Sequence, residues 1–113
     1  MKDHRLYLIH IRDCLARIKS YTQQGKDAFL SETIIQDAVI RNLEVMCESI
    51  KLLPRLWKDY QPQIPWEQIV GFRNRLAHEY LTIDLEVVWE IIEIDLPALE
   101  TAIENIAQAH WNR

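Results

Sequence analysis

Apolar residues recur at alternating spacings of three and four along nearly the whole chain, the period of helices that each bury one face. Tyr7, Ile11, Cys14, Ile18 and Tyr21 form such a stripe, widened by Leu8 and Leu15, and predict a helix from about Asp3 to Gln23. Gly25 is expected to end it. Ser31, followed by Glu32, is expected to cap a second helix in which Ile35, Val39, Leu43, Met46, Ile50 and Leu53 keep the rhythm. Pro54 stops that helix, and PRLWKDYQPQIP reads as an irregular or briefly helical connector. Pro65 suits the first turn of a third helix, whose buried side is marked by Ile69, Phe72 and Leu76. Leu81-Thr82-Ile83 is poor helix material, and Asp84 is expected to cap a fourth helix. That helix carries Leu85, Val88, Ile92, Leu96, Leu99, Ile103 and Ile106, and Pro97 should kink or restart it near Asp95. No segment alternates as a strand would. The expectation is one all-α domain over residues 1–113, an antiparallel four-helix bundle.

Composition agrees. Two glycines and four prolines are too few for the many tight turns of a sandwich or barrel. No apolar run approaches the roughly 20 residues that span a bilayer. MKDHR leads into an amphipathic segment rather than an apolar leader, so a cytoplasmic protein without a membrane partner is expected. Cys14 and Cys47 lie singly on apolar faces and read as buried free thiols. The net charge of −4 argues against nonspecific coating of nucleic acid, and no DNA partner is expected. Charge is uneven: from Leu81 onward there are seven acidic residues and one basic, Arg113. Between Arg41 and Tyr80 six basic residues face five acidic ones, which leaves room for a local anion site.

The candidate chemistry sits in RNRLAHEY, Arg73 to Tyr80. Histidine takes and gives protons near neutrality, and arginine offers a permanent planar fork to phosphate oxygens. Asn74 can orient an imidazole or donate to phosphate. These groups suffice for phosphodiester cleavage in RNA without a metal. A base activates the 2′-hydroxyl, cations steady the transition state, and an acid protonates the leaving oxygen. Helical pitch sets a condition: Arg73 and His78, five residues apart, stand about 140° apart around an unbroken helix. They serve one site only if the helix ends near His78 or two copies meet about a two-fold axis. If it ends near Glu79, extended chain would project His78 and Tyr80 to one side.

A plainer reading makes Arg73 and Arg75 solvated or salt-bridged, His78 a cation at a helix C-terminus, and Tyr80 core. His4, His10 and His110 show no metal-ligand spacing, and no cofactor is expected. Glu44 and Glu48 share a helical face, with Arg41 or Lys51 as expected partners. Trp57, Trp66, Trp89 and Trp111 read as packing residues.

RNRLAHEY closely resembles the R-x-x-x-x-H-x-Y signature of the HepT-like branch of the HEPN superfamily. The flanks IPWEQIVGF and VWEIIEIDLPALETAI resemble it too, as does DAVIRNLEVMCESIKLL upstream, so the likeness spans about Asp3 to Ile106. Cys47 stands where the family usually carries a small residue, often glycine. The resemblance implies an all-α homodimer, capable of higher assembly, that acts as a metal-independent endoribonuclease. It would be the toxin of a prokaryotic type VII toxin–antitoxin pair. Arg73 and His78 would line the cleft between protomers as catalytic residues, with Asn74 in the same site. The implied partner is an MntA-type minimal nucleotidyltransferase antitoxin that transfers AMP to Tyr80. Two alternatives stand beside this: a non-catalytic HEPN helper bound to a nucleotidyltransferase, and a structural helical dimer.

Overall fold

The computed structural model describes residues 3–110, apart from the side chain of Tyr80, and every regular element among them is helical. Seven α-helices follow in order: α1 (Arg5–Tyr21), α2 (Lys26–Ser31), α3 (Thr33–Lys51), α4 (Arg55–Asp59), α5 (Trp66–His78), α6 (Leu85–Glu90) and α7 (Leu96–His110). A 3₁₀ turn, Tyr80–Thr82, follows α5, and a π-helical stretch, Ile91–Asp95, joins α6 to α7. No helix of the described residues is long and apolar enough to cross a membrane.

The expected stripes supply the core. Leu8, Ile11, Cys14, Leu15 and Ile18 of α1 are buried against Val39, Leu43, Met46 and Ile50 of α3. Leu99, Ile103 and Ile106 bring α7 onto α1. Each such side chain contributes roughly 1.5–3 kcal/mol on burial. Trp57, Trp66 and Trp89 pack on this core; Trp111 and Arg113 lie outside the described residues.

Several boundaries differ from expectation for local reasons. Gly25 does not end α1. The helix ends at Tyr21, with Thr22 returning its N–H and hydroxyl to Ile18 O, while Gly25 adopts φ 93° ahead of α2. Ser31 is not an N-cap but the last residue of α2, where its hydroxyl donates to Ala28 O, and Glu32 opens α3 without a side-chain cap. Asp84 does cap: its Oδ1 accepts from Glu86 N at 2.9 Å. The break ahead of Pro97 takes the form of the π stretch. Proline has no N–H to give, and the wider π turns take up the mismatch before α7 restarts at Leu96.

The acidity of the last third has a structural outlet. Glu104 accepts from Arg12 Nε at 2.7 Å, Glu100 lies 3.1 Å from Lys19 Nζ, and Glu86 lies 2.8 Å from Lys26 Nζ. Arg12, Lys19 and Lys26 of α1 and α2 thus meet carboxylates of α6 and α7.

α5 is the least enclosed long helix. It packs on α3, Leu76 is its one fully buried residue, and Ile69 and Phe72 are only half-buried. A groove of about 740 Å³ separates α5 from the start of α7, with Cys47 and Phe72 among its lining and Arg75 and Asp95 at its walls.

Candidate active site

α5 carries the motif because its sequence alternates anchors with polar positions. Leu76 is buried, and Asn74, Arg75 and His78 are exposed on other sides. The helix stops at His78. Glu79 leaves helical geometry at φ −118°, ψ 28°, donating its N–H to Arg75 O at 2.8 Å. The chain then tightens instead of extending: Thr82 N and Oγ1 both donate to Glu79 O, at 3.0 and 3.2 Å. Extended chain therefore does not set residues 78 and 80 on one side, contrary to expectation, since a 3₁₀ turn rotates successive residues by about 120°. The early helix end itself is present. Whether Tyr80 belongs to the core falls outside the described side chains.

Arg73 and His78 both lie within α5, so the 140° offset applies to them as they stand. One chain brings Asn74 and His78 onto a common face, one turn apart, but not Arg73 and His78. His78 is the last residue of α5 and is exposed at its C-terminal end.

Each arginine of the region has a carboxylate neighbour. Arg41 Nη1 lies 3.6 Å from Glu44 Oε1, Arg73 Nε 3.1 Å from Glu48 Oε2, and Arg75 Nε 3.8 Å from Glu79 Oε2. The expected partner of Glu44 is in place, but Glu48 turns to Arg73 rather than to Arg41 or Lys51, because α3 packs directly against α5. Glu48 is the residue that sequence reasoning missed. Its approach to Arg73 arises between two helices and leaves no mark in local spacing. Arg73 Nε has no solvent exposure and no aligned hydrogen bond, so its contact with Glu48 is an ion pair without ideal geometry. A cleft of about 210 Å³ beside them is lined by Arg41, Glu44, Glu48 and Arg73. Among the described residues, no group of three or more histidine, cysteine or acidic side chains is placed to hold a metal ion.

Both cysteines are free and buried, on α1 and α3. Burial pushes the Cys47 thiol up to about 12, with Cys14 and Glu48 adding to the rise, and it raises Cys14 as well. Neither has the activated thiolate of a nucleophile.

Residues 11–106 match the family model described as Ribonuclease HepT-like. A protein of Thermococcus cleftensis named "Probable ribonuclease HepT" is 32% identical over 106 residues, covering 93% of this chain and 96% of its own. A protein of Caldanaerobacter subterraneus subsp. tengcongensis, named as an RNase with the prefix "Putative", is 32% identical over 109 residues, covering 96% and 97%. A "Gamma-glutamylcyclotransferase and putative RNase" of Methanocaldococcus jannaschii is 35% identical over 108 residues, 95% of this chain; the chain spans about half of that relative, 49%. No solved structure matches the chain. The motif of α5 lies inside the matched residues, and the chain belongs to the HepT-like ribonuclease family of the HEPN superfamily.

Proposed function

We propose that the protein is the toxin of a type VII toxin–antitoxin pair, an endoribonuclease that works as a homodimer of antiparallel four-helix bundles and needs no metal. One observation carries the reading. The chain belongs to a ribonuclease family, and its R-x-x-x-x-H residues stand intact on α5, with His78 open to solvent. Pitch supports the dimer, because a two-fold axis beside α5 would let Arg73 of one copy and His78 of the other approach a common phosphate. The half-buried apolar face of α5 is a further support.

The chemistry follows from the side chains. One His78 takes the proton of a ribose 2′-hydroxyl, and the 2′-oxygen attacks the adjacent phosphorus. Arg73 balances the added negative charge on the non-bridging oxygens, and Asn74 donates within the same cleft. The bond from phosphorus to the 5′-oxygen breaks, and the His78 of the second copy gives that oxygen a proton. The products are a 2′,3′-cyclic phosphate and a 5′-hydroxyl. A positioned proton-transfer group typically contributes about 10²–10⁴-fold, and an oriented cation about 10²–10³-fold.

Control is assigned to Tyr80, as acceptor of AMP from an MntA-type nucleotidyltransferase antitoxin. Tyr80 opens the turn that follows His78, so a nucleotide there would add negative charge and bulk beside the cleft. Induction of the wild type in a bacterial host tests the whole. Growth should stop, and it should continue with Arg73→Ala or His78→Ala at equal, folded expression. Arrest by both variants would overturn the assignment.

A further inference from the structure

We infer that Glu48 is a positioning residue for Arg73, holding the Nε edge of its guanidinium so that the Nη edge is turned to the scissile phosphate. The inference rests on the ribonuclease reading and deepens it. Glu48 Oε2 stands 3.1 Å from Arg73 Nε, across the α3–α5 contact. Nε is sealed from solvent, while the Arg73 side chain as a whole is 35% exposed. Nε makes no aligned hydrogen bond, so what Glu48 supplies is a close opposite charge that offsets part of the cost of burying this edge. Glu44, one turn earlier, lies nearer Arg41, which leaves Glu48 to serve Arg73.

A guanidinium presents its five N–H groups along more than one edge, so engagement at Nε leaves the Nη pair able to grip two phosphate oxygens. A carboxylate that masked Arg73 would occupy the Nη fork and would have to be displaced by substrate. The contact the structure shows is at Nε. Lysine, a point charge, cannot divide its donors between two fixed edges in this way.

Four proteins test the idea: the wild type, Glu48→Gln, Arg73→Lys and the double variant, each checked for unchanged melting behaviour. Cleavage is read on a mixed-sequence fluorogenic RNA oligonucleotide. Glu48→Gln should lower kcat between about 10- and 100-fold while KM moves little, the scale of loss for a misplaced group. On the Arg73→Lys background the same change should cost less than about threefold, because its effect runs through the fork. The Arg73 Nε–H, observed by proton–nitrogen NMR, should be protected from exchange in the wild type and lose that protection in Glu48→Gln. Faster cleavage by Glu48→Gln would mark the carboxylate as a mask and overturn the proposal. Equal losses on both backgrounds would overturn it too, as would an Nε–H indifferent to Glu48. A wild type inert on RNA counts against the ribonuclease reading alone; the spectrum still decides on Glu48.

Discussion

Arg73 and His78 occupy one unbroken helix and point about 140° away from each other around its axis. The cation is half-buried against α3, and the imidazole is exposed at the last helical position. A single copy thus presents the two halves of the proposed site on different sides of α5. The account therefore requires a second copy to complete the site.

The tyrosine after the motif should separate toxicity from control. Tyr80→Phe keeps the ring and removes the phenolic oxygen proposed as the AMP acceptor. Its growth arrest should equal that of the wild type and persist when the nucleotidyltransferase is co-expressed. Intact-mass spectrometry after incubation with that partner and ATP should show added AMP on the wild type and none on Tyr80→Phe. An unmodified wild type would remove the regulatory assignment.

Acid stability should report the Arg12–Glu104 pair. The guanidinium of Arg12, donating to the carboxylate, holds Glu104 below the usual carboxylate range. The folded chain therefore keeps this charge to lower pH than the unfolded chain does. The stabilisation is complete above the ordinary carboxylate range and is lost as pH falls through the depressed folded value. Both side chains are over a third exposed, so the pair is worth at most about 1 kcal/mol. Glu104→Gln should lower Tm at pH 7 by about 2–4 °C, and the gap should close in strong acid. A gap that persisted there would point to packing instead of charge.

Cys47 should be silent toward alkylating reagents in the native state. With its thiol raised to about 12 by burial, only about one molecule in 10⁴ is thiolate at pH 8. Iodoacetamide should label it after denaturation and not before. Rapid native labelling would mean that α3 opens far more readily than its packing implies.

Gly71 offers a stabilising substitution. It lies inside α5, and a Cβ built there meets nothing within 4 Å. Gly71→Ala should stabilise the helix by about 0.5–1 kcal/mol and raise Tm by about 2–4 °C in thermal melts at low protein concentration. A lower Tm would show that something packs against this face of the helix.

Much of the fold is legible because burial follows period. Ile11, Ile18, Leu43, Ile50, Leu76 and Ile103 all fall on stripes of threes and fours, and all are buried. Boundaries were harder. Ser31 and Gly25 carry the residue types of caps, but the backbone spends them on α2, a six-residue helix too short to show a stripe. The 3₁₀ turn at Tyr80–Thr82 arises from bonds to one carbonyl, that of Glu79, which no composition rule anticipates. In the candidate site, Arg73, Asn74 and His78 stand out as residue types crowded on one helix. Glu48 does not, since 25 positions separate it from Arg73 and only the docking of α5 on α3 joins them.

The most direct measurement is the chemistry of the RNA ends left by purified protein in excess EDTA. Total RNA would be incubated with the wild type or with His78→Ala and its ends sequenced after capture of 5′-hydroxyl termini. The account expects new 5′-hydroxyl and 2′,3′-cyclic phosphate ends with the wild type, and a loss of about 10²–10⁴-fold with His78→Ala. The same ends at the same rate from His78→Ala would contradict it.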